Sequence, residues 1–158
     1  MTCLKLFFYL LVITIIASSS DGKPNAAQSS SGEYVSTPLT NKNYKEILKN
    51  NKYVFIKFYT DWCAFSKKIL KIWENVGEHY EDSEDILIAE MDCGKFKPIC
   101  QKFNVREYPT LIIFKDGKRF ERYIGPRTTK DFVNYIDKFI AKRKIKDLNE
   151  KNKIQQQQ

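Results

Sequence analysis

Histidine, internal repeats and cofactor motifs are scarce or missing in this 158-residue chain. His79 is the only histidine, and because a structural zinc site takes about four ligands, mostly cysteine and histidine, we expect no metal centre. No segment recurs at a fixed period, which excludes a repeat architecture. We also expect no cofactor, so any chemistry must come from the side chains themselves.

Apolar residues form no run long enough to cross a bilayer, which takes about 20 residues. The longest run, Leu6 to Ala17, follows Lys5 and is followed by three serines. A positive residue, a short apolar segment and small residues are typical of a secretory signal peptide. We therefore predict a cleaved signal peptide over residues 1–20 and a protein of the endoplasmic reticulum lumen or secreted, without stable membrane insertion. An uncleaved signal anchor is the alternative.

The formal net charge of +8 is concentrated at one end of the chain. Residues 138–158 contain seven Lys or Arg and two acids, a net charge of +5. Because this basicity is appended to the domain and does not line a groove, we expect no nucleic-acid partner. Attraction of the tail to anionic glycans or membrane surfaces is a weaker hypothesis.

Composition divides the chain into four parts. After residues 1–20, residues 21–36 are rich in Ser, Gly, Asn and Ala without apolar periodicity, which is typical of a flexible linker. Residues 37–143 have the periodic apolar pattern of one globular domain, which we expect to be a monomer. Residues 144–158 form a basic, Gln-rich tail.

The cysteine count changes once the signal peptide is removed. Cys3 leaves with it, and Cys63, Cys93 and Cys100 remain. In an oxidising compartment two of these can pair and one is left over.

Apolar periodicity predicts an α/β fold with a central mixed sheet flanked by helices, the sheet being mostly parallel with an antiparallel hairpin at one end. The predicted elements, in order, are a short strand ending at Leu39-Thr40, a helix around Tyr44–Leu48, a central strand at Tyr53–Tyr59, a helix from Cys63 toward Tyr80, a strand at Ile86–Met91, a short helix within Lys95–Phe103, a hairpin of Leu111–Phe114 and Phe120–Ile124 around the Asp116-Gly117 turn, and a helix from Thr128 or Thr129 to about Lys142.

Cys63 stands where the predicted central strand gives way to a helix. A cysteine at a helix N-terminus faces unpaired backbone N–H groups and the positive end of the helix dipole, so its thiolate is favoured over its thiol. Cys63 is therefore the candidate reactive residue, and a buried, inert cysteine is the alternative.

Four segments resemble a thioredoxin domain of the protein disulfide isomerase family. They are Phe58-Tyr-Thr-Asp-Trp-Cys63, Tyr108-Pro109-Thr110, Asp116-Gly117-Lys118 and Tyr123-Ile-Gly125, in the order and spacing of that family. The likeness extends from about Leu39 to Ile140 and implies the thioredoxin fold as a single domain.

Within that family, Cys63-Ala-Phe-Ser66 resembles the motif of retention chaperones of the endoplasmic reticulum, which carry Cys-x-Phe-Ser. The resemblance implies a thiol-dependent chaperone, or a one-cysteine isomerase, that forms mixed disulfides with client proteins carrying free or misbridged cysteines. Because Ser66 replaces the second cysteine of Cys-x-x-Cys, the motif cannot form an internal disulfide or run a dithiol oxidase cycle. The Ser66 hydroxyl either donates a hydrogen bond to the Cys63 sulfur or has no role beyond the first helical turn.

The resemblance also implies a client-binding surface around the thiol. Pro109, after a cis bond, is expected opposite Cys63, where the Tyr108 backbone can pair with an extended client; a proline that merely ends a strand is the alternative. Trp62, Phe65 and Thr110 complete the expected surface. A non-catalytic peptide-binding module and a secreted effector remain alternative functions.

Two cations are expected to modulate the pKa of Cys63. Lys57 stands where the family commonly has a buried acid, and Arg127 matches an arginine that can approach the reactive cysteine.

Cys93 and Cys100 resemble an extra cysteine pair of isomerase domains, and a disulfide is the favoured interpretation; a shuttle that resolves the Cys63 adduct is the alternative. The chain ends in Gln-Gln-Gln-Gln and not in a Lys-Asp-Glu-Leu-type signal, which leaves retention or secretion open.

Overall fold

The computed structural model describes residues 35–156. The predicted signal peptide, residues 1–20, and most of the predicted linker, residues 21–36, lie outside the described residues. The strands are β1 (Thr37–Leu39), β2 (Tyr53–Tyr59), β3 (Leu87–Asp92), β4 (Thr110–Lys115) and β5 (Lys118–Arg122). The helices of this part of the chain are α1 (Tyr44–Asn50), α2 (Ala64–Lys68), α3 (Leu70–His79), α4 (Lys97–Lys102) and α5 (Thr129–Gln155).

The five strands form one mixed sheet in the order β1-β3-β2-β4-β5. β3 runs parallel to β1 and β2, whereas β4 runs antiparallel to β2 and β5. β2 occupies the centre, and six of its seven residues are buried, as apolar side chains on both faces of a strand predict. The predicted central mixed sheet flanked by helices is confirmed.

Side chains of β2 alternate between two apolar layers because successive residues of a strand point to opposite faces. Val54, Ile56 and Phe58 pack in one core cluster, together with residues of α1 and α4. Phe55 packs in the other cluster, against α3 and α5, where the Trp73 ring lies 5.1 Å from it, centroid to centroid. Helices therefore cover both faces of the sheet and fix the position of β2.

The predicted helix from Cys63 to Tyr80 is two helices. Ile69 leaves helical geometry, with φ −102° and ψ 6°, and its N–H donates to the Ser66 carbonyl three residues back. The regular pattern resumes where the Trp73 N–H donates to the Ile69 carbonyl at 2.8 Å. The break separates a mostly exposed first segment, in which Ser66 is the buried residue, from a second segment that covers the sheet.

The predicted hairpin turn is present, with a shifted second strand. Asp116 and Gly117 both have positive φ, 49° and 75°, which is the conformation of a two-residue type I′ turn. So short a turn pairs Lys115 directly with Lys118. β5 therefore begins two residues before the predicted Phe120 and ends at Arg122.

The last helix continues past the predicted end near Lys142 and runs for 27 residues. Two ion pairs join its distal half to the rest of the domain: Lys144 with Asp85, and Asp147 with Lys52. The predicted boundary between domain and tail, at residues 143–144, falls inside this helix. No helix in residues 35–156 is both long and apolar enough to cross a membrane.

Two charges are buried where the central strands meet. Lys57 of β2 and Glu90 of β3 are register neighbours, and the Lys57 Nζ lies 2.7 Å from the Glu90 Oε2. The Lys57 side chain is 2% exposed and that of Glu90 18%. Since a buried ammonium without a counter-ion is costly, Glu90 is what permits a lysine in the central strand.

We expect Glu90→Gln to lower the free energy of unfolding by about 2–3 kcal/mol, because it leaves the Lys57 ammonium buried without a carboxylate. This figure lies at or below the usual range for a buried pair because Glu90 retains some contact with water. Urea unfolding followed by tryptophan fluorescence measures the loss.

The double variant Lys57→Met/Glu90→Gln is the control. Removing both charges should recover most of the lost stability, since a neutral pair needs no counter-ion. If the double variant is as unstable as Glu90→Gln, the cost comes from packing and the electrostatic account is wrong.

Candidate functional site

Cys63 lies where the chain leaves the centre of the sheet. A turn after β2, closed by the Cys63 N–H donating to the Thr60 carbonyl at 3.2 Å, brings the cysteine to the start of α2. Cys63 itself has an extended backbone and caps this helix. The side chain is partly exposed, and it is the free cysteine of residues 35–156.

The pKa of the Cys63 thiol lies below its ordinary value. The largest cause is the backbone N–H of Ser66, which hydrogen-bonds the thiolate; the Ser66 hydroxyl, the Phe65 N–H and the positive charge of Arg127 act in the same direction, and burial opposes them. α2 is only five residues long, so specific N–H groups of its first turn, and not a long helix dipole, favour the anion.

The Ser66 hydroxyl is buried without a hydrogen bond of regular geometry among the described residues. It nevertheless contributes to the lowered pKa of Cys63, after the backbone N–H of the same residue. The choice between the two roles that the sequence suggested for the Ser66 hydroxyl stays a prediction.

The segment around Pro109 faces the thiol. The Tyr108–Pro109 peptide bond is cis, and the Cys63 thiol donates to the Tyr108 carbonyl at 3.3 Å. Thr110 begins β4 and is buried, with its hydroxyl donating to the Glu107 carbonyl at 2.7 Å. Residues that are far apart in the sequence thus meet at one edge of the sheet.

Two exposed aromatic side chains stand next to Cys63 in the sequence. Trp62 is 74% exposed and Phe65 62%. The Tyr108 ring stands edge-on to Trp62, with the centroids 6.0 Å apart. Because a monomeric domain seldom exposes large apolar side chains in a cluster without a use, this surface, Trp62–Phe65–Tyr108, is a candidate binding surface.

The two cations expected to act on Cys63 are placed differently. Arg127 reaches the site, since its Nη2 donates to the Pro109 carbonyl at 3.4 Å, and its charge is among the causes of the lowered pKa of Cys63. Lys57 lines a cleft of about 310 Å³ with Ser66, but its charge is paired with Glu90. The expected effect of Lys57 on Cys63 stays a prediction.

Glu90 is the residue of this region that the sequence analysis missed. It is the one acid within the apolar run Ile86–Met91, just as Lys57 is the one charge within β2. Two single charges in neighbouring buried strands have to neutralise each other, so their presence was a usable signal.

The remaining cysteines of the described region are bonded to each other. Cys93, after the end of β3, and Cys100, in α4, form a disulfide with an S–S distance of 2.05 Å. Both are buried. Because both sulfurs are bonded to each other, this pair offers no thiol that could resolve an adduct on Cys63. Residues 35–156 also contain no cluster of three or more potential metal ligands.

Comparison with known proteins agrees with this geometry. The thioredoxin family profile matches residues 35–138. The protein disulfide isomerase-like protein 5-1 of rice is 34% identical over 99 residues, which cover 62% of this chain and 67% of the rice protein. The human endoplasmic reticulum resident protein 44 is 33% identical over 105 residues, 63% of this chain and 26% of that protein.

A solved structure agrees as well. The crystal structure of human ERp44 superposes with a TM-score of 0.63 at 31% identity, covering 66% of this chain and 32% of that one. The chain thus spans about two thirds of the rice protein but only a quarter to a third of the human one. The matched profile, the mixed sheet and the cysteine after its central strand lead to one assignment: the chain belongs to the thioredoxin family, and its relatives are protein disulfide isomerase-like proteins.

Proposed function

We propose that the protein is a thiol-dependent chaperone or one-cysteine disulfide isomerase of the secretory pathway, which forms mixed disulfides with client proteins through Cys63. The observation that carries the proposal is a partly exposed thiol of lowered pKa with no second free thiol in residues 35–156. A thiolate is the attacking species in disulfide exchange. An adduct formed here has no neighbouring sulfur to resolve it.

Exchange with a misbridged client needs no external oxidant, because the client disulfide itself supplies the bond that is broken. The Cys63 thiolate attacks one sulfur of a misbridged client disulfide, forming the mixed disulfide and releasing the other client sulfur as a thiolate. A different client thiolate then attacks the adduct, restores the Cys63 thiolate and leaves a rearranged client bridge. For a client with a free thiol, Cys63 must first carry a small thiol from a low-molecular-weight disulfide, which the client thiolate displaces.

The surroundings of the sulfur support client binding. When Cys63 ionises, its hydrogen bond to the Tyr108 carbonyl is lost, so this carbonyl can accept from a client N–H in the manner of strand addition. The Trp62–Phe65–Tyr108 surface offers apolar contact to an unfolded segment. Ser66 and Arg127 act on the thiolate, and Pro109 and Thr110 form the segment that faces it.

The proposed compartment is the endoplasmic reticulum lumen or a later secretory stage. Two observations support it: the disulfide of Cys93 with Cys100, and relatives named as endoplasmic reticulum residents. The signal peptide predicted over residues 1–20 leads to the same compartment. Disulfides persist in oxidising compartments and are rare in the cytosol.

Cys63→Ser should abolish covalent capture of a client. We expect the wild-type chain, in a Cys3→Ser background, to form adducts with scrambled-disulfide ribonuclease that non-reducing gels resolve and reducing gels do not. Ser66→Cys should greatly reduce their accumulation, because the new thiol resolves the adduct. Ser66→Ala is the matched control and should retain the adducts.

Equal capture by the wild type and Cys63→Ser would contradict covalent capture and favour a peptide-binding module that uses the exposed aromatic surface alone. Recovery of ribonuclease activity distinguishes catalyst from trap, since a trap forms adducts without raising the yield of active enzyme.

The reactivity of Cys63 should persist to lower pH than that of an ordinary thiol, whose pKa is about 8.5. A depressed pKa keeps the thiolate populated until the pH falls below that depressed value. The midpoint of the alkylation profile, the pH at which the rate is half its high-pH plateau, should therefore be lower in the folded chain than in the urea-unfolded chain. Ser66→Ala should raise this midpoint, and Arg127→Gln should raise it by a smaller amount. The rate of alkylation by iodoacetamide as a function of pH, measured in a Cys3→Ser background, gives the midpoint for the wild type and for each of the two variants.

Lys68→Gln is the control, because it removes a positive charge from the same helix that is not among the causes of the shift. Its midpoint should equal that of the wild type. Ser66→Ala leaves the backbone N–H groups in place. If its alkylation midpoint nevertheless rises to that of the urea-unfolded chain, the backbone N–H groups are not the main cause of the lowered pKa of Cys63.

A further inference from the structure

A second cleft adjoins the thiol site on the side of α4. Its volume is about 500 Å³, and it lies between α4 and the segment that leads to Pro109. Two cations, two amides, one aromatic ring and one aliphatic residue line it, and none of them is acidic: Lys97, Arg106, Gln101, Asn104, Tyr108 and Val105.

The two cations of this cleft are unneutralised. Neither Lys97 nor Arg106 makes an ion pair within residues 35–156. The Arg106 Nε donates to the Asn104 Oδ1 at 3.0 Å, which holds the guanidinium in place and leaves its other N–H groups available. The neighbouring acid, Glu107, is bound by Arg122, which holds the pKa of Glu107 below its ordinary value. The cleft therefore presents positive charge with open donors.

The cleft is continuous with the reactive thiol through one residue. Tyr108 lines the cleft, and its carbonyl accepts the hydrogen bond from Cys63. Arg106 lies two residues before Tyr108, and an extended client segment rises about 3.3 Å per residue. A client segment held at Cys63 and extended along the Tyr108 backbone therefore passes the cleft two to four residues from its own cysteine.

The wall of the cleft is anchored to the sheet. Lys97 and Gln101 belong to α4, the helix that Cys100 ties to the end of β3 through its disulfide with Cys93. Lys97 is thus carried on a helix whose position is fixed before a client arrives, which reduces the entropy lost on binding.

We propose that the Lys97–Arg106 cleft is a specificity subsite for an aspartate or glutamate side chain of the client, two to four residues from the client cysteine. This inference rests on the proposed function, since it concerns the polypeptide that Cys63 captures. An arginine with open donors suits a carboxylate, because the fork of the guanidinium matches its two oxygens. Exposed pairs are weak, so we expect a preference of about threefold and not orders of magnitude.

Peptides with a single activated cysteine test the subsite. Each carries its cysteine as a disulfide with nitrothiobenzoate, and Glu, Gln or Lys stands two, three or four residues from the cysteine on either side. Attack by the Cys63 thiolate forms the protein–peptide disulfide and releases the coloured nitrothiobenzoate thiolate, so absorbance gives the rate constant. The protein is the full chain with Cys3→Ser.

At the position of the variable residue that gives the largest effect, the Glu peptide should react about threefold faster than the Gln peptide, and the Lys peptide should react more slowly than the Gln peptide. Added salt should reduce these differences. Lys97→Glu/Arg106→Glu should reverse the order, and Lys97→Gln/Arg106→Gln should abolish it. These side chains are exposed, so neither change disturbs the core.

Lys45→Glu/Lys49→Glu is the matched control. It changes the net charge equally but acts at α1, where both lysines line a different cleft; it should keep the Glu preference. Loss of preference in this control as well would overturn the subsite and assign the effect to the overall charge. Equal rates for Glu and Gln peptides with the wild type would also overturn the subsite but leave the proposed function intact. If the wild type releases no nitrothiobenzoate above the Cys63→Ser rate with any peptide, the proposed function itself fails.

Discussion

The position of β2 between β3 and β4 is the constraint on which the site depends. Apolar side chains on both faces of this strand can be buried only at the centre of a sheet with helices on either side, and the two core clusters provide that environment. Once β2 is fixed, its end fixes the turn that carries Cys63. The antiparallel neighbour, β4, starts at the same edge of the sheet, which places Tyr108 and Pro109 against the sulfur. The reactive geometry is therefore a consequence of core packing and not of the motif alone.

Much of this arrangement follows from local pattern, and the remainder depends on contacts between distant segments. Apolar periodicity locates β2, β3, α3 and the hairpin because burial on one or both faces leaves a period in the sequence. The break in the helix at Ile69 is not predictable from the sequence, because no glycine or proline stands there. Past Lys142, α5 makes ion pairs with Asp85 and Lys52, and such contacts with distant segments leave no signal in the helical pattern. The pairing of Lys57 with Glu90 depends on the register of β2 against β3, a non-local property.

The candidate site divides in the same way. Cys63, Ser66 and their neighbours are predictable because one short segment carries them, and the backbone donors that lower the pKa of Cys63 belong to that segment. The Lys97–Arg106 cleft was not predictable, since α4 and the segment before Pro109 form it jointly and each cation alone is an ordinary surface residue. Its charge acquires meaning only because Tyr108 both lines the cleft and contacts the thiol, and because no acid lines the cleft.

The lowered pKa of Cys63 affects both the attack on a client disulfide and the release of a captured client. It populates the attacking thiolate at neutral pH, but a thiolate of lower pKa is intrinsically a weaker nucleophile. It also makes Cys63 the better leaving group when another thiolate attacks the adduct. Because Ser66 offers no internal sulfur, the lifetime of the adduct depends on whether a second client thiol reaches it. Under the proposed function, a client with a nearby thiol would resolve itself and leave rearranged, whereas a client without one would stay bound. The same site would then serve as isomerase for the first and as a trap for the second.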